Sequence, residues 1–372
     1  MNKIAPFKLE RFFAQYEFTT EILLSCSDCE SLTQNEVLEM ADPSSKFLWD
    51  NLSLGYTESQ GHPQLRDEIK KMYKNISSRQ IMVLAPEEGI YIAMQTMLHP
   101  GDHIISIAPT YQSLSEIATS IGCQLSFWNI DVQNQSWTLD LDKLQSLIKP
   151  HTRLLILNFP HNPTGFLPDT ILLEKIIHIA RANDLYIFSD EMYHFLELKT
   201  TKPLPLIADY YEKGISLSGV SKSMALPGLR MGWLASQDKE LFQKWVVYKD
   251  YTTICCSAPS EILALIAIKN REQIVTRNKE IIHSNLAISE NFFSQYPELF
   301  NWLPPMAGSI AFPELKMHPV DTFCKNLVDT KNTLLAPGHL FGHVGNHFRL
   351  GLGRRNFPKG IERLDEFCQM FY

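Results

Sequence analysis

Residues 216–232, SLSGVSKSMALPGLRMG, are the most informative stretch of this sequence. An apolar strand end at 214–217 leads into it, and the apolar sequence resumes after Arg230 as MGWLA. Lys222 stands just beyond the strand, eight positions before Arg230. A lysine amine can bond an aldehyde as an imine, and a guanidinium can bind a phosphate. The alternative for a single lysine is a solvated surface loop. Other motifs of the chain are needed to choose between a ligand-binding site and a surface loop.

The composition is that of an ordinary globular protein of 372 residues, with 45% hydrophobic and 20% charged residues. The net charge of −7 and a pI near 6.0 argue against a nucleic acid or an anionic membrane as partner. The N-terminal sequence lacks the apolar run of a signal peptide, and no stretch of 18 apolar residues occurs. We therefore expect a cytoplasmic protein of two domains, without a membrane or nucleic-acid partner.

Seven cysteines are scattered along the chain. Cys26 and Cys29 form a single CxxC pair, and no second pair stands at the spacing of a zinc site. Incidental thiols in a reducing compartment are the preferred interpretation, and a metal or redox site is the alternative. The sequence therefore predicts no bound metal.

From residue 80 onward, short apolar runs alternate with longer segments of helical periodicity. The runs cover residues 80–84, 103–107, 124–128, 153–157, 185–189, 214–217 and 231–235. Helices are predicted between them at 87–98, 111–121, 141–148 and 168–182. Seven buried strands with intervening helices indicate an α/β fold, with a mostly parallel seven-stranded sheet covered on both faces. Ligands of such sheets bind at the loops that follow the strands.

The chain beyond residue 237 has a different character. Helical periodicity covers 239–248, 257–269 and 272–293, and short strands mix with helices in 300–372. The segment 272–293 is long enough to bridge two domains. We expect a large domain at 46–275 and a smaller α+β domain made of 1–45 and 276–372.

Two further motifs follow predicted strands. Asn162 lies in residues 158–165, NFPHNPTG, where two prolines and a glycine restrict the turn. Its carboxamide can hydrogen-bond a phenolic oxygen, or it can cap the helix that begins near residue 168. In the next motif, DEMY, Asp190 can pair with a pyridinium nitrogen and Tyr193 can donate a hydrogen bond. A solvated strand end and an ordinary packing residue are the alternatives.

The spacing of these residues strengthens the chemical interpretation. Asn162 and Asp190 are 28 residues apart, Asp190 and Lys222 are 32 apart, and each follows its own strand. We therefore expect all three side chains at one edge of the sheet. A lysine, an acid, a carboxamide and a phosphate-binding arginine together fit pyridoxal 5′-phosphate (PLP), an aldehyde that carries a phosphate.

These motifs resemble those of the class I/II aminotransferases of the fold-type I PLP-dependent enzymes, which read N-P-x-N-P-T-G, D-E-x-Y and S-K-x-x-x-x-P-G-x-R-x-G. The corresponding residues here are 158–165, 190–193 and 221–232, and similarity extends over nearly the whole chain from about residue 50. The resemblance implies a three-layer α/β/α PLP-dependent transferase fold, PLP as cofactor and a homodimer.

By position, the resemblance assigns the residues around the cofactor ring. Lys222 is expected to form the internal aldimine and then to move the proton between the substrate α-carbon and the cofactor. Asp190 is expected to pair with the ring nitrogen, and Asn162 and Tyr193 to bind the ring hydroxyl. Tyr111 is expected to stack on the ring, with a core aromatic at a helix start as its alternative.

The resemblance also assigns the phosphate and substrate contacts. Ser221 and Arg230 are expected to hold the phosphate, together with Tyr56 of the neighbouring subunit. Arg349 is expected to bind the substrate α-carboxylate through paired hydrogen bonds, with Asn162 beside it. The apolar neighbours of Arg349 in the sequence favour a buried strand over a surface salt bridge.

Two departures from the family pattern concern the phosphate. Residues 83–89, VLAPEEG, stand where the family has T-x-G-A-x-E-A, so Pro86 has no N–H to donate and Glu87 brings a negative charge. The amides of Glu87 and Glu88, at a helix N-terminus, are still expected to bind the phosphate. Gly219 stands where many relatives have a phosphate-binding serine, so the other phosphate contacts are expected to matter more.

Transamination between an L-amino acid and a 2-oxo acid is the preferred activity, and the sequence does not identify the amino acid. One alternative keeps the cofactor and changes the reaction to β- or γ-elimination, replacement or cyclisation. It is motivated by residues 25–31 and 85–89, which resemble the capreomycidine synthase-like branch of the family. A second alternative is a non-catalytic, PLP-binding regulatory protein, which the acidic composition disfavours.

Overall fold

The structure, a computed structural model, describes residues 4–199 and 202–371. Its centre is a seven-stranded sheet with the order β1-β7-β6-β5-β4-β2-β3. The strands are β1 (Ile81–Leu84), β2 (His103–Ala108), β3 (Gln124–Asn129), β4 (Thr152–Asn158), β5 (Tyr186–Asp190), β6 (Gly214–Gly219) and β7 (Gly232–Ser236). Strand β7 pairs antiparallel with β1 and β6, and the other pairs are parallel. The predicted mostly parallel sheet is confirmed, with one strand for each apolar run.

Neighbouring residues on a strand face opposite sides of the sheet. Because consecutive residues of the central strands are apolar, both faces of the sheet are apolar. Leu154 of β4 and Phe188 of β5 belong to one buried cluster, whereas the adjacent Leu155 and Ile187 belong to another. The first face is covered by the helices Pro86–Met97, Ser113–Ile121 and Lys239–Lys249. The second face is covered by Pro63–Lys70, Leu141–Leu147, Thr170–Ala182 and Ala258–Lys269. Burial on both faces explains why these strands read as continuous apolar runs.

The two edges of the sheet differ. Edge strand β3 is largely exposed, whereas edge strand β1 is buried at every position. The preceding loop covers β1, because the amide of Val83 donates to the Gln60 carbonyl at 3.0 Å. Gly61 permits this approach: it has φ +102°, and a Cβ there would lie 2.4 Å from a methyl carbon of Val83.

A second region of the structure is built around the helix Arg271–Gln295, which has 25 residues. A separate apolar cluster joins this helix to Val320–Lys331, Phe357–Phe371 and the strands Ile22–Leu23, Phe300–Asn301, Ile310–Ala311, Glu314–Leu315 and Phe348–Gly351. The strands Thr333–Leu334 and Ala336–Pro337 pair with Ile22–Leu23 and Phe348–Gly351 respectively. The boundaries of the two predicted domains stay a prediction.

Short elements connect these layers. They are the helices Lys8–Tyr16, Gln34–Glu39, Pro43–Asp50 and Ile207–Tyr210, the 3-10 turns Ser78–Gln80, Pro227–Leu229 and Gly338–Phe341, and the hairpin Asp131–Gln133 with Ser136–Thr138. Within the described residues, no helix combines the length and the apolar character that crossing a membrane requires.

Candidate active site

A cavity of about 560 Å³ opens beyond the carboxyl ends of β4, β5 and β6. The predicted site residues on its wall come from seven separate segments: Glu87, Tyr111, Asn162, Asp190, Tyr193, Ser221, Lys222, Arg230 and Arg349. Strands β4, β5 and β6 are adjacent and parallel, so the loops that follow them meet at one edge. The structure therefore brings these residues together, as their spacing predicts.

Lys222 lies on the cavity wall three residues after β6 ends. Its Nζ donates a hydrogen bond to Oγ of Ser27 at 2.8 Å. Burial lowers the pKa of Lys222, because the charged ammonium loses its hydration, and the nearby carboxylate of Asp28 opposes this effect. A lysine with a lowered pKa has a larger neutral fraction, and the neutral amine is the form that attacks an aldehyde.

Asp190 is the last residue of β5 and is buried. Its Oδ1 accepts a hydrogen bond from the amide of Met192 at 3.1 Å. Burial raises the pKa of Asp190 to about 6, with this hydrogen bond and the charge of Lys222 opposing the shift. A carboxylate in such a setting is suited to pair with a cationic ring nitrogen.

Arg349 is fully buried on the strand Phe348–Gly351. Its Nε and Nη2 both donate to the carbonyl of Ser25, at 3.1 and 2.8 Å, and Nη1 donates to Oδ1 of Asn162 at 3.3 Å. A guanidinium has five N–H groups. Among the described residues, one N–H on each terminal nitrogen therefore has no partner, and two such N–H groups can bind a carboxylate bidentately.

A hydrogen bond from the backbone N–H of Asn162 to Oδ1 of Asn158, at 2.8 Å, holds Asn162 in place. The Oδ1 of Asn162 accepts from Arg349, and its Nδ2 has no partner in the part of the chain that the structure describes, so it can donate to a ligand. The alternative that Asn162 caps the following helix is wrong. Asp169 caps that helix instead, by accepting from the amide of Leu172 at 2.7 Å.

Two of the predicted tyrosines, Tyr193 and Tyr111, also lie on the cavity wall. The hydroxyl of Tyr193 donates to the carbonyl of Ser27 at 3.1 Å, and burial raises the pKa of Tyr193 well above its usual value. The hydroxyl of Tyr111 donates to Oε1 of Glu10 at 3.1 Å, and its ring centroid lies 4.9 Å from that of Phe7. Both phenols are therefore neutral hydrogen-bond donors at ordinary pH.

The groups suited to a phosphate lie beside the start of the helix Pro86–Met97. The Oγ of Ser221 is buried and has no hydrogen-bond partner among the described residues. Nη1 of Arg230 donates to the carbonyl of Pro227 at 2.9 Å, and the other guanidinium N–H groups have no hydrogen-bond partner in residues 4–199 and 202–371. The first-turn amides of a helix have no partner within the helix and attract anions. An orphaned hydroxyl, a guanidinium and a helix N-terminus together fit the phosphate of PLP.

The two departures from the family pattern have structural reasons. Pro86 is the first residue of its helix, where an N–H would have no intrahelical partner. Its ring packs closely on Gly232: a Cβ added to Gly232 would lie 2.8 Å from Cγ of Pro86. A Cβ at Gly219 would lie 2.9 Å from the carbonyl oxygen of Met231. A serine therefore cannot replace Gly219 here without a shift of the backbone.

Two predicted residues are not on this cavity wall. The carboxylate of Glu88 turns away and accepts hydrogen bonds from the hydroxyls of Thr252 and Thr253, with Lys249 at 3.5 Å. Only the amide of Glu88 is thus available for the predicted contact. Tyr56 is 92% exposed on the loop before the helix Pro63–Lys70, so its predicted role depends on a second subunit.

Other residues on the cavity wall were missed by the sequence analysis. Glu10, Phe13 and Glu17 come from the N-terminal helix and its C-cap, and their spacing of three and four residues was the available signal. Asp28 forms an ion pair with Arg354 at 2.6 Å, and both line the cavity. Within the described chain, no group of three or more His, Cys, Asp or Glu side chains is arranged to hold a metal ion.

Comparison with known proteins places this cavity in context. The sequence matches the family of class I and II aminotransferases over residues 19–363. It is 26% identical to capreomycidine synthase from Streptomyces vinaceus, covering 96% of this chain and 92% of that protein. The fold superimposes on a PLP-dependent aminotransferase from Streptococcus suis with a TM-score of 0.92 and 30% identity, covering 100% and 99% of the chains. The PLP-dependent cyclase OrfR gives a TM-score of 0.91 and 25% identity over the same shares.

Proposed function

The chain belongs to the class I and II aminotransferase family, and we propose that it transfers the amino group of an L-amino acid to a 2-oxo acid with PLP as cofactor. The observation that carries the proposal is the shared cavity, in which the amine of Lys222, the carboxylate of Asp190 and the guanidinium of Arg349 all face one space. The interpretation as a non-catalytic regulatory protein is set aside, because the family and the matched relatives are enzymes.

When bound, PLP supplies an aldehyde that bonds amino groups and a ring that withdraws electrons from the substrate α-carbon. The Nζ of Lys222 would hold the aldehyde carbon, and the carboxylate of Asp190 would pair with the ring nitrogen. The Nδ2 of Asn162 and the hydroxyl of Tyr193 would bind the ring hydroxyl, and Tyr111 would cover one ring face. Their support is their common cavity and, within the described structure, the unpartnered Nδ2 of Asn162. The hydroxyl of Tyr193 donates to the carbonyl of Ser27 in the structure and would exchange that partner for the ring hydroxyl.

At the other end of the cofactor, Ser221, Arg230 and the amides of Glu87 and Glu88 would hold the phosphate. The two spare N–H groups of Arg349 would bind the substrate α-carboxylate and so orient the α-C–H bond toward Lys222. Once the amino group of the substrate has replaced Lys222 on the aldehyde carbon, the freed neutral amine of Lys222 would take the proton from the substrate α-carbon. The same amine would then deliver that proton to the former aldehyde carbon, on the other side of the imine nitrogen. Ser27, at 2.8 Å, would keep that amine in place between the two proton transfers.

Spectroscopy on the purified enzyme tests this proposal. We expect PLP to give the near-visible absorbance of a lysine-linked cofactor, and we expect amino acids to convert it to the amine form while a 2-oxo acid appears. Absence of the lysine-linked absorbance would contradict the cofactor assignment. A lysine-linked cofactor that no amino acid converts to the amine form would contradict transamination alone.

A second candidate reaction is elimination or cyclisation on an amino acid, which the relatives capreomycidine synthase and OrfR make relevant. The observation that favours it is Glu17, which transamination does not need. Burial and the negative charges of Asp28 and Glu10 raise the pKa of Glu17, which lies on the cavity wall, and a raised pKa favours the protonated form that a proton donor needs. Release of ammonia and an oxo acid without an acceptor, or a cyclic product, would indicate this reaction.

We also propose a homodimer in which Tyr56 reaches the phosphate of the neighbouring subunit. Tyr56 is highly exposed, and so are Leu54 and Tyr251. Exposed apolar side chains of this size are typical of an interface. Sedimentation would report the mass, and two inactive variants, Tyr56→Ala and Lys222→Ala, should restore activity when mixed if each site takes residues from both chains.

A further inference from the structure

The first turn of the helix Pro86–Met97 places an acidic side chain, Glu87, where a phosphate is expected. Helix N-termini favour anions, but a carboxylate beside a phosphate dianion is repelled by it. The position of Glu87 therefore needs a physical explanation. It is not turned away from the site as Glu88 is, because Glu87 lines the cavity together with Ser221 and Arg230.

The structure fixes Glu87 close to the phosphate-binding groups. Pro86, the preceding residue, packs against Gly232, and Gly232 pairs in the sheet with Gly219 at the end of β6. The start of this helix thus lies beside the chain that leads into Ser221. The Oγ of Ser221 is the second, independent indication of a ligand, because Ser221 is only 5% exposed and its hydroxyl has no partner in the described structure.

Charged and polar groups on several other elements act on Glu87. Glu10 of the N-terminal helix and Asp190 of β5 are both acidic, and each disfavours a further negative charge at Glu87. Arg230 before β7 and the hydroxyl of Ser113 act in the opposite direction. The balance favours the neutral acid: burial, followed by these like charges, raises the pKa of Glu87 to about 7. Tyr111 is a further titratable neighbour, and burial raises the pKa of its phenol, which keeps it neutral.

We propose that Glu87 binds the cofactor phosphate as a neutral carboxylic acid, with its O–H donating a hydrogen bond to a phosphate oxygen. The inference rests on the proposed use of PLP and adds a role for a side chain whose backbone amide alone was expected to contribute. A cofactor in the cavity would exclude the water that still reaches Glu87, and its dianion would hold the proton on the carboxyl more firmly. Gly219 offers no hydroxyl here, so this donor stands in for one of the usual phosphate contacts.

Proton linkage determines the sign of the effect. The bound state requires a proton on Glu87, so cofactor affinity is full below pH about 7 and falls as the pH rises above it. The phosphate itself has its second pKa near 6 and is already a dianion in that range. The affinity lost is at most about tenfold for each pH unit.

The test measures the PLP dissociation constant of the apoenzyme by absorbance at about pH 6.5 and about pH 8.5. We expect wild type to lose about tenfold or more in affinity between these values beyond the loss shown by Glu87→Gln, whose amide donates at every pH. Pyridoxal, which lacks the phosphate, should show no difference between the two proteins. Glu240→Gln, a change at an exposed first-turn glutamate of the helix Lys239–Lys249, is the matched control and should behave as wild type.

Identical pH dependence in wild type and Glu87→Gln would overturn the inference, and so would a Glu87→Gln variant that binds PLP more weakly at both pH values. If the variant does not fold, calorimetry on wild type in two buffers of different ionisation enthalpy replaces it. Uptake of a proton with PLP but not with pyridoxal at about pH 8 supports the inference, and equal uptake contradicts it. Failure of PLP to bind at all would instead contradict the proposed function.

Discussion

Lys222 and Ser27 are 195 residues apart in the chain, yet Nζ of Lys222 donates to Oγ of Ser27 at 2.8 Å. The backbone carbonyl of Ser27 accepts two more hydrogen bonds, from the hydroxyls of Tyr193 and Ser309 at 3.1 and 2.7 Å. Two residues earlier, the carbonyl of Ser25 accepts from Arg349. The segment around Ser27 is therefore held in place by the side chains that the proposed reaction uses, which makes it part of the cavity wall.

Replacing Lys222 by alanine should abolish the covalent attachment of PLP and lower turnover by about 10³-fold or more, because both the bond and the proton carrier are lost. Reduction with borohydride followed by mass spectrometry would detect the attachment in wild type. An adduct of unchanged mass in the Lys222→Ala protein would show that another amine carries the cofactor. The control variant is Lys249→Met, because Lys249 contacts Glu88 away from the cavity. This variant should still form the reduced adduct, and only the presence of the adduct is compared.

Replacing Ser27 by alanine removes the hydrogen-bond acceptor of Lys222. Burial already lowers the pKa of Lys222, and loss of a partner for the ammonium should lower it further. The acid limb of the pH profile for cofactor attachment should therefore move to lower pH, and turnover should fall by about tenfold because the amine is less well oriented. Ser27→Thr retains the hydroxyl and should restore the wild-type profile. A profile that does not move in Ser27→Ala would reduce Ser27 to a structural residue.

Replacing Asp190 by asparagine should leave the cofactor bound and slow removal of the α-proton by about 10²-fold or more. The amide has no charge to stabilise a protonated ring nitrogen. Exchange of the substrate α-proton with solvent, followed by nuclear magnetic resonance, measures this step directly. An exchange rate equal to that of wild type would contradict the pairing of Asp190 with the ring.

Replacing Arg349 by lysine keeps the charge but removes the planar pair of N–H groups. We expect KM for the amino acid to rise by about a hundredfold, which corresponds to about 2.7 kcal/mol of lost binding. Simple amines without a carboxylate should react equally well with both proteins. The carbonyl of Ser25 also loses donors, so a Tm should be measured alongside; a lowered Tm with an unchanged KM would assign Arg349 to stability only.

Replacing Glu17 by glutamine separates the two candidate reactions. If the enzyme transaminates, the change should alter turnover by less than about threefold, because no step in that reaction uses the carboxyl. If the enzyme instead eliminates a leaving group, loss of the proton donor should slow departure of that group, and so product formation, by about 10²-fold. The same assay, with and without a 2-oxo acid acceptor, measures both rates. Arg354 stays paired with Asp28 in either case, which keeps the local charge otherwise constant.

Much of the site could be predicted because its residues follow strands. Asn162, Asp190 and Lys222 each follow a buried apolar run, and parallel pairing of adjacent strands leaves few places for their side chains other than one edge. The position of Glu88 was harder to predict. Residues 87 and 88 look equivalent in the sequence, but successive side chains on a helix point about 100° apart, so one carboxyl enters the cavity and the other contacts Lys249.

Local patterning of the chain was enough to predict the seven strands and to show that Asn162, Asp190 and Lys222 follow three of them, because burial periodicity and strand ends are local properties. The groups that surround these side chains depend on contacts between distant parts of the chain. The tertiary structure placed the helix Lys8–Tyr16 on the wall of the same cavity as Lys222, and it brought Ser27 within hydrogen-bond distance of Lys222. It also explains the residues at positions 219 and 86, because the space beside Gly219 and Pro86 is limited by residues that are distant in the sequence.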